Sequence, residues 1–415
     1  MSLAVEFGPV RPDETAALLP LVMEAFSVRP GTERARITTQ LVRGAPDQFV
    51  ALRQDGRLVA AAHIAQHHLR LGRSTLLKAD VGHVCVAPQR QGQGLGTALL
   101  TRLVRFLAAE GYHFSRLGGL MHFYSRFGYV PFPRRYLDIT VPDLRADLKG
   151  RNWGRWLAQT DQEQRAIRPY KRELDGHRVL QLRTDHPLAL DLSQRLDPAQ
   201  ASPPPPRERS LVYERDGDLR AFAWIAPPSN DNALDLRELL WDAAHPEAVG
   251  SLVKHIVRLA ARERLEIRTR LPYQPALCEA LTASGVTHDL RERRQAIDGN
   301  MVRVLSLHAL CHALLPELAH RLQSLGLRPC QRLGLAVGDQ TVDLLFADGH
   351  IRIGQPGSAA QPPPLPVPQG RFLRWVLGLE TPAETLLDSA ALTPDQRLLF
   401  LALFPRLPAV SNTWG

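Results

Sequence analysis

The chain has 415 residues, 44% of them hydrophobic and 22% charged, the balance of a folded globular protein and not of a disordered one. One domain of about 150 residues does not use up that length, so two or three are expected. The formal net charge of +9 comes almost entirely from arginines spread along the chain, lysine standing only at 78, 149, 171 and 254. With no basic run and no nucleic-acid module, that charge makes no case for a nucleic-acid partner.

The opening residues, MSLAVEFGPVRPDE, carry acids and no long apolar core, so no secretory leader is expected. No apolar run reaches the ~20 residues of a membrane span. Pro12, Asp13 and Glu14 then open a helix in which Leu18, Leu19, Val22 and Phe26 recur at helical spacing, with Pro20 interrupting. Residues 28–43 read as a loop, the expected seat of acceptor specificity. Residues 49–53 and 58–64 flank Gln54-Asp55-Gly56 and read as a hairpin.

A strand over residues 76–86 ends in Val84-Cys85-Val86 and is stopped by Pro88. The turn Arg90-Gln91-Gly92-Gln93-Gly94-Leu95-Gly96-Thr97 follows, and a helix begins at once, with Leu99, Leu100, Leu103, Val104 and Leu107 on one face and Gly111 as its stop. Glycines at 92, 94 and 96 remove side chains where backbone must approach a ligand. The unpaired amides opening the helix, backed by its dipole, then favour a phosphate group. There is no lysine for a P-loop, and the glycines fall at every second position instead of the dinucleotide G-x-G-x-x-G.

Gln91, Gly94 and Gly96 instead form Q-x-x-G-x-G directly after a V-x-V-x-P strand, which resembles the acetyl-CoA loop of the GNAT superfamily of N-acetyltransferases. Phe123 to Tyr129, FYSRFGY, resembles the short helix and return strand that close the cofactor cleft in that superfamily. The resemblance implies acetyl-CoA as co-substrate, held by Val84, Cys85, Val86, Arg90, Gln91, Gly92, Gln93, Gly94, Leu95, Gly96 and Thr97. It implies the Val86 amide as oxyanion donor and Tyr124 as the acid that reprotonates the leaving thiolate. Parallel strands splayed by the bound pantetheine are implied as well.

Further along, residues 211–213 and 219–225 flank Arg215-Asp216-Gly217, a strand over 234–241 follows, and a helix spans 248–263. This repeats the first layout without the glycine turn, the connection being Asp242-Ala243-Ala244-His245-Pro246. Pro203 to Pro206 form a polyproline excursion. Beyond it, residues 301–305 read as a strand and residues 308–325 carry leucines at helical spacing up to Gly326, Pro316 breaking that helix or marking its start. Strands over 333–337, 342–347 and 351–353 are separated by Gly338-Asp339 and Asp348-Gly349; residues 361–370 form a low-complexity loop, and short helices cover 372–379 and 394–403.

That order resembles the Eis (enhanced intracellular survival) type of N-acetyltransferase. The implied fold is α/β (α+β), with tandem GNAT-like mixed sheets and flanking helices, then a sterol-carrier-like domain. The division is an active domain at 1–147, a degenerate one at 148–297 and the sterol-carrier-like unit at 298–415. In that family the C-terminal carboxylate takes the amine's proton, which maps to Gly415. A terminal glycine after Trp414 departs from the family's bulky apolar ending. The other candidate bases in the first domain are Asp80, His83, Glu24 and Glu110.

An alkylamine of pKa about 10 must lose a proton before it attacks a thioester. The expected activity is therefore direct acetyl transfer to a primary amine such as a polyamine, an aminoglycoside or a lysine side chain. The alternative is an acyl-CoA- or lipid-binding regulatory or carrier protein with a non-catalytic GNAT domain. No metal is expected: His63, His67 and His68 lack an acidic or cysteine partner at ligand spacing. Cys85, Cys278, Cys311 and Cys330 are scattered with no C-x-x-C pair, which fits a reducing cytoplasm. A homo-oligomer is expected.

Overall fold

Three Asp-Gly pairs set the register of the sheets. Asp55-Gly56, Asp216-Gly217 and Asp348-Gly349 all take left-handed backbone, with φ between 51° and 82°, which a two-residue hairpin turn of type I′ requires at both positions. The computed structural model describes residues 5–139, 155–156, 180–182, 209–226, 233–242, 244–263, 265–269, 275–283, 286–293, 298–329, 331–354, 363–386 and 392–407.

The first stretch contains β1 (Glu6–Pro9), β2 (Phe49–Gln54), β3 (Arg57–Leu71), β4 (Ser74–Val86), β5 (Phe114–Leu120), β6 (Val130–Pro131) and β7 (Arg134–Ile139). Its helices are α1 (Thr15–Ala25), α2 (Glu33–Gly44), α3 (Leu95–Ala109) and the single turn α4 (Met121–Tyr124). The middle holds β8 (Arg155–Trp156), β9 (Leu180–Leu182), β10 (Arg209–Arg215), β11 (Asp218–Ala226), β12 (Ala233–Trp241), α5 (Glu247–Glu263), β13 (Glu266–Thr269), α6 (Pro275–Ala283) and β14 (His288–Arg293). The last part holds β15 (Asp298–Val304), α7 (Leu307–Ser324), β16 (Gln331–Val337), β17 (Gln340–Ala347), β18 (His350–Gly354), β19 (Leu365–Val367), α8 (Gln369–Val376), α9 (Ala383–Leu386) and α10 (Pro394–Leu403).

The described strands form three sheets. The first runs β1-β2-β3-β4-β5-β15-β6, with β9 beside the far end of β3; the second runs β14-β7-β13-β12-β11-β10-β8; the third runs β18-β17-β16-β19. The mixed α/β fold is as expected, but the sheets trade strands. β7 leaves the first stretch to pair with β13 and β14, while β15 returns from residue 298 to pair with β5 and β6.

The first sheet is covered on both faces. Val50, Leu52, Ala62, Ile64, Ala79 and Val81 pack against the leucines of α3 on one side. Phe49, Ala51, Ala61 and Cys85 pack against Leu18, Leu21 and Val22 of α1 and Leu41 and Val42 of α2 on the other. Farther along that second face, Leu69, Leu71, Leu76 and Phe114 meet Leu307, Leu310, Leu314 and Leu318 of α7.

Several local expectations are corrected. Neither proline breaks its helix. Pro20 lies on the exposed side of α1, so the carbonyl that loses its donor faces water. Pro316 is likewise exposed within α7, and the neighbouring Glu317 amide donates to Ser74 Oγ at 3.2 Å instead. Residues 28–43 hold a helix, α2, whose Thr32 hydroxyl accepts from the Ala35 amide. The low-complexity loop contains β19, which pairs in parallel with β16.

Candidate active site

The decisive geometry lies between β4 and β5. They pair in parallel only from Lys78↔Phe114 to Val81↔Leu117. Beyond that point β4 stays with β3, whereas Gly118 to Leu120 of β5 pair with β15, so the two strands splay and leave a gap. Ala87 donates its amide to the Val59 carbonyl at 2.9 Å. By strand alternation the Val86 N–H then points away from β3, into the gap.

The glycine turn closes one end of that gap. After a single helical turn at Pro88–Arg90, Gly92 and Gly94 take left-handed φ values of 77° and 79°. Gly94 is the N-cap of α3 and offers no side chain to it. Its carbonyl accepts from Ala98 at 3.0 Å, so the amides of Leu95, Gly96 and Thr97 have no partner within the helix. A Cβ on Gly96 would lie 3.4 Å from Phe123 Cζ and 3.7 Å from Val86 Cγ2. Any larger residue there would fill the junction of turn, strand and α4.

The remaining predicted ligands divide by what their side chains do. Gln91, Gly92, Gln93 and Gly94 are exposed, and Thr97 is partly so. Leu95 is buried in the α3 core and offers only its backbone to a ligand. Arg90 turns back to the Gln54 carboxamide and ties the loop to the β2–β3 hairpin. Val84 and Val86 pack toward α3, while the Cys85 side chain points to the α1 face. Burial pushes the Cys85 thiol up to about 12, so it carries no thiolate for acyl transfer.

In α5, the counterpart of α3, an acid occupies the first turn. Glu247 is paired with Arg215 at 3.0 Å and with His245 at 3.2 Å. β12, α5 and β13 repeat the order of β4, α3 and β5, with β12 and β13 parallel, and α5 carries an acid in its first turn where α3 carries none.

Two tyrosines of the FYSRFGY stretch differ sharply. Tyr129 is fully buried and its hydroxyl is hydrogen-bonded to Ser115 Oγ at 2.9 Å, burial pushing it up to about 12. The Tyr124 hydroxyl has no hydrogen-bond partner among the described residues, and burial raises its pKa from the ordinary phenol value. The Tyr124 ring lies over Gly119, where a Cβ would sit 3.0 Å from Cε2 and 3.8 Å from the hydroxyl. Gly119, with φ 145°, lies in the splayed part of β5. Tyr124 therefore keeps its proton at neutral pH and has it free to donate.

The expected bases are not equivalent either. Asp80 is held by Lys78 at 3.0 Å, His67 at 3.2 Å and Arg116 at 3.8 Å. Burial opposes its ionisation, yet the Lys78, His67 and Arg116 charges and the His67 hydrogen bond outweigh it and hold the carboxyl far below its usual range. It is no proton acceptor at neutral pH. Glu24 is exposed on α1 and Glu110 is exposed beyond the last turn of α3, about 22 Å of helix from the cradle. Gly415 lies outside the described residues. The three histidines once considered for metal have separate partners: His63 meets Gln48 at 3.0 Å, His67 meets Asp80 at 3.2 Å and His68 meets Gln66 at 3.2 Å.

Residues 6–132 match the family model of the acetyltransferase (GNAT) domain. The matched stretch holds the glycine turn, the β4–β5 gap and Tyr124. Over nearly its whole length the chain also shares its fold with three solved structures. A probable N-acyltransferase from Enterococcus faecalis V583 has a TM-score of 0.68 at 15% identity, covering 98% of each chain. A GCN5-related N-acetyltransferase from Kribbella flavida has 0.63 at 16%, covering 98% of this chain and 97% of its own. Eis1 from Mycobacterium abscessus has 0.62 at 16%, covering 99% and 100%. No curated protein matches the chain. Among the described residues no helix is long and apolar enough to cross a membrane.

Proposed function

We propose that the chain is an acetyl-CoA-dependent N-acetyltransferase that transfers the acetyl group directly to a primary amine, with Tyr124 as general acid. The observation that carries this is the β4–β5 gap, which joins an uncapped α3 N-terminus to an unengaged tyrosine hydroxyl. In this reading the amides of Leu95, Gly96 and Thr97 hold the pyrophosphate of acetyl-CoA. The Val86 amide donates to the oxygen on which negative charge develops during attack. Tyr124 gives its proton to the departing sulfur, whose conjugate acid has a pKa of about 8.5, so that it leaves as the neutral thiol.

The arrangement is read as Eis-like, with units divided near residues 147 and 297 and one strand lent across each boundary. Support for a degenerate second unit is the order β12, α5, β13 with Glu247 in the first turn of α5. Support for a sterol-carrier-like third unit is the four-stranded sheet packed on α7. A cytoplasmic site of action is supported by the scattered cysteines, Cys85 and Cys311 being buried thiols. Homo-oligomer formation is read directly by sedimentation.

The test is release of CoA from acetyl-CoA in the presence of polyamines, aminoglycosides, aryl amines and lysine peptides. Turnover with any of them supports the reading. Tight CoA binding with no turnover on any amine would instead make the protein an acyl-CoA-binding regulator.

A further inference from the structure

One residue on the far side of the gap has an arrangement that packing alone does not require. His83 sits in the middle of β4 with φ 46°, a left-handed conformation. Of the other non-glycine residues with positive φ among the described ones, Asp55, Asp216 and Asp348 occupy hairpin turns and Ser27 closes α1. The cause at His83 is a β-bulge. His63 pairs with Gly82 and Ala61 with Cys85, so Ala62 alone faces both His83 and Val84. Bulges next to functional sites re-aim side chains, and an observed backbone outlier is a reason to look for a function.

The bulge lies between Val81, where pairing with β5 ends, and Val86, whose amide enters the gap. Val84 and Val86 on either side of it face α3 and the cradle. The His83 ring goes to the opposite face, among rings from three other elements. Its centroid is 5.7 Å from Phe26 at the end of α1, 6.5 Å from Phe49 of β2 and 6.1 Å from His63 of β3.

The charged and titratable groups around it come from every neighbouring element. Arg34 of α2 acts on it directly and lies 6.0 Å over the Phe26 ring. His63 is engaged with Gln48, Cys85 is a buried thiol, Asp80 is held by its three cations, and Glu24 of α1 is exposed. Burial first, and then Arg34, hold the imidazole below its ordinary pKa. It is therefore neutral at physiological pH, and no hydrogen bond is made by its ring among the described residues. Val84, Val86 and Tyr124 pack on the α3 face, so the His83 ring, beside Phe26 and Phe49, lies on the face of the sheet opposite the cradle.

We propose that His83 is the catalytic base that removes the proton from the incoming ammonium group, an inference that rests on the acetyltransferase reading above. The amine proton passes to a ring nitrogen of His83, and the freed lone pair forms the C–N bond to the thioester carbon. The carbonyl electron pair moves onto oxygen against the Val86 amide and returns as the C–S bond breaks. Sulfur takes the Tyr124 proton, the nitrogen's second proton replaces it on Tyr124 through solvent, and His83 releases its proton to water. Net, an ammonium ion and acetyl-CoA give an amide, CoA thiol and one proton.

Glycine accepts a φ of 46° without strain, so His83→Gly removes the imidazole while keeping the bulge. With full-length protein and the best amine of the panel, the expected result is a kcat at least about 10²-fold lower, acetyl-CoA affinity unchanged, and partial restoration by free imidazole. In the pH profile of kcat/KM the acid limb disappears in His83→Gly. In Arg34→Met the limb moves to higher pH, because a charge that depressed the imidazole pKa is gone. The proposal is overturned by an active His83→Gly enzyme, by a loss that imidazole does not restore, or by an Arg34→Met limb that stays put. If the wild-type protein itself acetylates no amine, the acetyltransferase reading falls and this proposal with it; an active wild type with an unaffected His83→Gly removes this one alone.

Discussion

Gln369 at the start of α8 is hydrogen-bonded to both sides of a seam, one of them a segment 241 residues earlier in the chain. Its carboxamide oxygen accepts from the Val304 amide at 2.8 Å, and its nitrogen donates to the Gly128 carbonyl at 3.0 Å. Arg303 of β15 donates to the adjacent Phe127 carbonyl, and a Cβ on Gly128 would collide with that guanidinium. The last third of the chain thereby grips the end of the FYSRFGY stretch that carries Tyr124.

Gln369→Leu would strand the Val304 amide and the Gly128 carbonyl, each costing about 1–3 kcal/mol where water cannot replace the bond. Chemical denaturation should show that loss. Because the released segment holds Tyr124 and not the glycine turn, kcat should fall while the acetyl-CoA dissociation constant stays near wild type. A fall in acetyl-CoA affinity with unchanged kcat would contradict this account of the seam.

The two tyrosines can be told apart by the same conservative change. Tyr124→Phe should lower kcat by about 10²-fold without a measurable change in melting temperature, since its hydroxyl has no partner to lose. Tyr129→Phe removes the bond to Ser115 and should cost about 1 kcal/mol of stability while leaving chemistry largely intact. A reversal of the two results would move the acid role away from Tyr124.

Gly96→Val places branched bulk against Phe123 and Val86, which are already within 3.7 Å of a single added carbon. The first turn of α3 can hold only if that junction yields. Acetyl-CoA affinity, followed by calorimetry, should drop at least tenfold, and far-UV circular dichroism should stay unchanged because the rest of α3 is anchored by buried leucines.

Asp80→Asn removes the counter-charge of fully buried Lys78 and of Arg116. Breaking a buried ion pair from one side costs about 3–5 kcal/mol. The folded-state pKa of Asp80 is depressed. Its contribution is therefore complete above the unfolded carboxyl pKa of about 3.9, and it is lost as pH falls from there through the folded value. Urea midpoints of wild type and Asp80→Asn should accordingly differ at pH 7 and converge in strong acid. A constant difference at all pH values would mean that charge pairing is not the cause.

Legibility followed range in the sequence. The glycine turn, the Asp-Gly hairpins and the Gly128 stop are set by backbone demands within a few residues, and all lie where the residues place them. Pro20 and Pro316 misled because the penalty of an internal proline depends on where the freed carbonyl and amide find partners, here water and Ser74. α2 was hidden by exposed arginines and by Ile37, which faces solvent at 49% exposure; only Thr32 as N-cap and the spacing of Leu41 and Val42 pointed to it. The bulge at His83 had no local signal, since it arises from pairing with a strand about 20 residues earlier.

The return of β15 to the first sheet also orders events during synthesis. β5 ends at Leu120 and its partner begins at Asp298. At 5–20 residues per second a ribosome takes roughly 10–40 s to deliver that partner. Throughout that interval the emerging chain has a strand edge open beside the splay, able to pair with another nascent copy. A fragment cut after residue 132 keeps that edge for good. The first sheet is thus finished only when residues as far as Val304 have left the exit tunnel, so the gap beside β5 acquires its second wall long after the glycine turn has been made.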